Sequence, residues 1–212
     1  MATILVSGCA SYKPAANTQT LYERISKAIT TELSTGSDHI RMQVFPILDD
    51  KLAKTNVGVT PSASGMLSVF VRVENGAENP VKVDLANSFL LINGEKYPSL
   101  AAESAVERAQ RGDAVPVAGM TVLFGLIGGI ATGSVIATGN RTIEEHYQEK
   151  SFKPTLINTK SCGSGLVFFE FSKEKTGGRN FTCTIPVLNL ATNEVTILEV
   201  SFNEGELRKL EE

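Results

Sequence analysis

The sequence predicts a mainly β protein with helical additions, an α+β chain built on an antiparallel sandwich. Three observations carry this. Short runs of apolar residues, some clearly alternating with polar ones, recur in two blocks, 40–100 and 155–203, with turn residues between them. A segment of different texture, 101–154, is inserted between the blocks. Strands do not alternate with helices along the chain, which disfavours a parallel sheet built of strand–helix–strand units.

The chain has 212 residues, enough to bury a core without staples. Hydrophobic residues make up 42% and charged residues 20%, a globular balance. The net charge is −3 and the Lys and Arg residues are scattered, so nucleic-acid binding is not expected. There is no Trp and there are two His, His39 and His146, which thins the stock of catalytic and metal-binding side chains.

Residues 1–19 read as a processing segment and tether. Val6-Ser7-Gly8-Cys9, followed by Ala10-Ser11-Tyr12, resembles the box of bacterial lipoproteins, in which small residues precede a lipidated Cys. That resemblance implies a lipid on Cys9 and, with Ala rather than Asp after it, sorting to the outer membrane facing the periplasm. Eight residues precede Cys9 and none is basic, so the stretch reads as the end of a signal whose start lies upstream of Met1. The alternative is a short buried strand over Ile4–Val6 with an ordinary thiol after it. Lipidation would also account for an odd count of three Cys in an envelope compartment.

A helix is expected over 20–35. Thr20 and Glu23 form a capping-box pattern, and Leu21, Ile25, Ala28, Ile29 and Leu33 recur on one face. Ser34-Thr35-Gly36 ends it. This helix is expected to pack on a sheet rather than to bind a partner.

Strand texture starts at residue 40. "IRMQVFPIL" alternates loosely. "MLSVFVRVEN" alternates clearly, with Leu67, Val69, Val71 and Val73 on one face and Ser68, Phe70 and Arg72 on the other. Asn93-Gly94 is a two-residue hairpin signal. In the second block, three strands are expected over 165–202, joined by "KEKTGGRN" and "LATNE". The first two, 166–172 and 181–187, are expected to pair as a hairpin closing near Gly177. That register leaves Cys162 about 25 Å along the strand from a partner of Cys183, so a disulfide, which needs Cα atoms within about 7 Å, would form only if the chain folded back at Gly163 or Gly165. Two unpaired thiols are therefore expected. About seven strands in all favour a sandwich. The pattern "FLLINGEKY", with "GLVFFEF" later, resembles immunoglobulin-like domains of bacterial envelope lipoproteins, and the resemblance implies a binding or scaffolding module. Residues 204–212 read as a charged C-terminal tail.

The insertion carries the other functional signal. "AAESAVERAQRGD", 101–113, and "NRTIEEHYQEKSFKP", 140–154, read as helical and polar. Between them, 115–139 runs without a charge, long enough to span a bilayer at about 20 residues. Six of its residues are Gly, so hydropathy alone makes insertion marginal. Gly125, Gly129 and Gly133 stand four apart, and Thr121 and Ala137 extend the register. On a helix this is a stripe of small residues along which another backbone packs closely, as in membranes. Each interior Gly costs about 1 kcal/mol in a soluble helix, so the segment needs lipid or a tight protein partner. A helix packed on the chain's own sandwich and a flexible loop are the alternatives. The glycines lack the Lys-Ser/Thr of a phosphate loop and the spacing of a dinucleotide fingerprint.

No catalytic constellation is visible. His146 in "EEHYQE" lacks the spacing of a metalloprotease helix, "CGSG" lacks that of a nucleophile elbow, and the Cys and His residues do not make a metal-ligand pattern. The sequence therefore points to a non-enzymatic outer-membrane lipoprotein without cofactor. It would be a structural or accessory subunit of a secretion or surface-appendage complex. Its partners would be other envelope proteins, the membrane and, through the glycine stripe, further copies of itself. The alternative is a soluble periplasmic protein-binding module.

Overall fold

The structure, a computed structural model, describes residues 34–36, 39–48, 53, 61–110, 144–145, 147–153, 156–171 and 179–205. Among them are ten strands: β1 (Ser34–Gly36), β2 (Ile40–Ile47), β3 (Met66–Asn75), β4 (Val81–Val83), β5 (Phe89–Ile92), β6 (Glu95–Leu100), β7 (Leu156–Ile157), β8 (Ser161–Glu170), β9 (Asn180–Asn189) and β10 (Val195–Asn203). Every strand pairing is antiparallel. The chain is thus mainly antiparallel β with few helices, as the alternation predicts.

The strands form two layers. The first runs β1-β2-β3-β8, and the end of β6 (Ser99, Leu100) pairs against β8. In the second, β9 carries β10 along one side and β5 then β4 along the other, with the start of β6 on β5 and β7 on β4. β6 therefore belongs to both layers and turns the corner between them. Pro98 stands at that change of partner, where a residue without an N–H costs the ladder least. Pro186 of β9 follows the same rule: it lies between the residues paired with β5 and those paired with β4, and its carbonyl accepts the Asp84 N–H at 2.9 Å.

The period-two pattern decides what each face buries. Leu67, Val69, Val71 and Val73 of β3 point between the layers, where they meet Leu90 and Ile92, Phe181, Cys183, Ile185 and Val187, and Leu198, Val200 and Phe202. Phe181 and Phe202 stack at 5.2 Å there. Phe70 points to the opposite face, as expected, and is 1% exposed, because that face is covered as well. The cover comes from the helical segments 102–110 and 147–150, both within the expected insertion. Ala105, Val106, Ala109 and Tyr147 pack there against Phe45, Ile47, Met66, Phe70, Leu166 and Phe168.

Asn93 and Gly94 have φ of 51° and 85° and close the β5–β6 hairpin. Both central residues in the left-handed region is the primed turn that matches strand twist, which explains Asn-Gly there. Asn75 closes another join: its amide donates to the carbonyls of Asn79 (2.9 Å), Ile157 (3.1 Å) and Asn158 (3.1 Å), and its Oδ1 accepts the Ala77 N–H.

Two expectations are corrected. β8 and β9 do not form a hairpin. β8 pairs with β3 and β6 in one layer, β9 with β10, β5 and β4 in the other, so the chain crosses between layers at 171–179. The strand count is ten rather than about seven, because short strands at the edges carry too few residues to show alternation. The helix expected over 20–35 lies outside the described residues up to 33, and its last two positions, Ser34 and Thr35, belong to β1.

Candidate functional site

The residues singled out by the sequence, Cys9 and the stripe Thr121, Gly125, Gly129, Gly133 and Ala137, lie outside the described residues, as does His146. What the structure describes is the frame from which the stripe-bearing segment leaves and to which it returns. Both stems sit on one face. Residues 102–110 follow directly from β6, and Arg108 reaches Glu170 at the end of β8 in a 2.9 Å ion pair. On the return, the Tyr147 ring lies 4.8 Å from that of Phe168 and is 1% exposed. Leu166 and Phe168 thus form the floor between the stems.

The returning chain is then clamped to β8. Ser151 makes a parallel bridge with Leu166, and the Phe152 N–H donates to the Leu166 carbonyl at 2.9 Å. Gly165 makes room for this approach. A Cβ there would stand 2.5 Å from Phe152 Cα and 2.6 Å from its N, distances that no real Cβ tolerates. Phe152 itself enters the core between the layers, 5% exposed. The arrangement holds the two flanking segments against β8.

Among the described residues, burial shifts two titratable groups. Lys150, just before the clamp, is 3% exposed, and its desolvation lowers the ammonium pKa, with Glu149 partly offsetting the shift. Burial pushes the Cys183 thiol up to about 12, which makes it inert at neutral pH. Cys162 is exposed, opposite Glu74 on β3, with Arg72 Nη2 3.9 Å from its sulfur. Cys183 lies opposite Leu90 and Val200 in the other layer. Both thiols are free, as the sequence predicts, but the separation comes from lying in different layers and not from distance along a hairpin. Among the described residues no three His, Cys, Asp or Glu side chains converge on a metal position, and no helix is long and apolar enough to cross a membrane.

One surface was missed by sequence reasoning. On the outer face of the second layer, Leu156 (β7), Lys82 (β4), Leu188 (β9) and Val195 (β10) stand side by side in register, and Pro186 and Ile197 form the next rung. Leu156, Val195 and Ile197 are 50%, 58% and 52% exposed, and Leu190 lies at the β9–β10 turn beside them. The only signal was the run "VTIL", 195–198, in which apolar residues occupy both phases of the alternation. Compared with protein-family models, curated proteins and solved structures, the chain has no match.

Proposed function

We propose that this chain is a non-enzymatic lipoprotein of a bacterial outer membrane, facing the periplasm, and a structural or accessory subunit of a multi-protein envelope complex of the secretion or surface-appendage type. The observation that carries the reading is the Val6-Ser7-Gly8-Cys9 box, which offers a thiol for lipid attachment behind small residues. The sandwich, read as immunoglobulin-like, serves as the docking body. The glycine stripe of Thr121, Gly125, Gly129, Gly133 and Ala137 contacts the membrane or neighbouring subunits. Support comes from the frame: two stems clamped to one face of the first layer hold the ends of the 111–143 segment on that side of the body. The absence of any catalytic spacing in the sequence agrees with a scaffolding role.

The test is metabolic labelling with palmitate in a Gram-negative host, using the gene with its upstream region. The wild-type protein is expected to carry label and to fractionate with the outer membrane. Cys9→Ala is expected to lose label and move to the soluble fraction. Equal labelling of both proteins, or none of either, would refute the anchor and leave the soluble periplasmic binding module as the better reading.

A further inference from the structure

We infer that the outer edge of β10 pairs with β10 of a second copy, antiparallel about a two-fold axis at Thr196. This inference rests on the geometry of the strand and not on the lipid anchor or the glycine stripe.

The β9–β10 ladder shows which backbone groups are spare. The Asn189 N–H donates to the Glu194 carbonyl and the Glu204 N–H to the Arg179 carbonyl, both at 2.9 Å. The register between them is unbroken, so every second residue of β10 exchanges hydrogen bonds with β9: Thr196, Leu198, Val200 and Phe202. The N–H and C=O groups of Val195, Ile197, Glu199 and Ser201 therefore point away from β9. Among the described residues no strand pairs with β10 on that side; β1 and β2 come near it but pair with each other. Such an edge is a template for another strand, and proteins blunt it by short length, Pro, Lys or a bulge. β1 and β7, at the two ends of the strand order, are three and two residues long. β10 is nine residues long and carries none of these devices.

The side chains along this edge select a second copy as the occupant. Val195 and Ile197 are about half exposed, and Glu199 and Ser201 are exposed beside them. Spare groups meet spare groups only where these alternate residues face one another. An axis at Glu199 would oppose the two Glu199 carboxylates, which like charges disfavour. Axes at Leu198 or Ile197 would set Glu199 against Ile197 or Val195. An axis at Val195 would carry Ile197 past the strand onto Asn193, in the turn with φ of 57°. An axis at Thr196 sets Val195 against Ile197 of the second copy, twice, and keeps the carboxylates apart. Each such pair continues a row: Leu188–Val195 of one copy runs into Ile197–Pro186 of the other. The joined rows are apolar throughout, and Lys82 stands outside them, beyond Leu188. Self-complementarity of this kind is what an isologous two-fold contact requires.

Analytical ultracentrifugation of the full chain over a range of concentrations tests this. The contact is smaller than the ~1,200 Å² of a standard interface, so a weak, concentration-dependent dimer is expected. Ile197→Lys alters an exposed side chain and is expected to weaken association at least about tenfold, because the change acts twice across the axis. Gly129→Leu, in the glycine stripe, is expected to leave the dimer in place. Thr196→Cys falls opposite itself with Cα atoms about 4.5 Å apart, within disulfide reach, and is expected to yield a 196–196 cross-linked peptide on oxidation, identified by mass spectrometry. Glu199→Cys is expected to yield none. A chain that stays monomeric at every concentration would overturn the inference. So would a dimer that survives Ile197→Lys, a dimer lost in Gly129→Leu, or cross-linking of Glu199→Cys in place of Thr196→Cys.

Discussion

Gly165→Ala is the sharpest test of how the insertion is held. The added methyl would lie 2.5 Å from Phe152 Cα, 2.6 Å from Phe152 N and 2.8 Å from Ser151 C. All three are backbone atoms, so no side chain can swing aside. The 151–152 segment must retreat by about 1 Å to reach ordinary contact, and overpacking of this kind costs about 1–3 kcal/mol. The retreat also stretches the 2.9 Å Phe152 N–H to Leu166 carbonyl bond, worth about 1 kcal/mol net. Complete withdrawal of the Phe152 ring from the core would set a ceiling of about 3–5 kcal/mol. The expected loss is therefore roughly 2–4 kcal/mol, which in a chain of this size lowers Tm by about 5–15 °C. Urea unfolding followed by circular dichroism reads the free energy, and exchange of the Phe152 amide reads the local opening. A loss below about 0.5 kcal/mol, with that amide still protected, would mean that the returning chain does not lie against β8.

Two further outcomes separate backbone strain from burial. Gly94→Ala meets no atom within 4 Å but must hold φ at 85°, so it is expected to cost about 1 kcal/mol by urea unfolding, less than Gly165→Ala. For the thiols, maleimide is expected to label Cys162 in the folded protein and Cys183 only after denaturation, as counted by mass spectrometry. Cys183 also sets a pH dependence. Its folded pKa, about 12, lies above the ordinary thiol value of 9.0 expected in the unfolded chain. The contribution is therefore complete below pH 9 and is lost as pH rises through that window towards 12, at up to about 1.4 kcal/mol per pH unit. Cys183→Ala should remove this slope; an unchanged alkaline slope would refute the assignment.

The parts of this fold legible in the sequence are those where one local rule decides. β3 alternates over ten residues, so both of its faces could be read directly. Asn93-Gly94 needs two left-handed residues and announces its hairpin. The pairing of β8 was not legible, because a turn-rich linker looks the same whether it closes a hairpin or crosses between layers. Only the whole set of partners distinguishes them: β8 is already saturated by β3 on one side and by β6 and residue 151 on the other, which leaves β9 no edge to join. Gly165 shows the same limit. Its missing side chain is explained by Phe152, thirteen residues earlier and brought back by a parallel contact that no periodicity encodes.

The two outer faces bear on function in different ways. On the first, the segments flanking 111–143 pack over Leu166 and Phe168, so Phe70, Leu166 and Phe168 are as buried there as residues between the layers. On the second, Leu156, Val195 and Ile197 stay half exposed, with Lys82 between Leu156 and Leu188 in the same row. Period-two alternation reads the two faces alike, because it marks which residues share a face and not whether another segment covers that face. Chain connectivity separates them: β6 delivers 102–110 to the first face, and the bridge of Ser151 to Leu166 returns the chain to it.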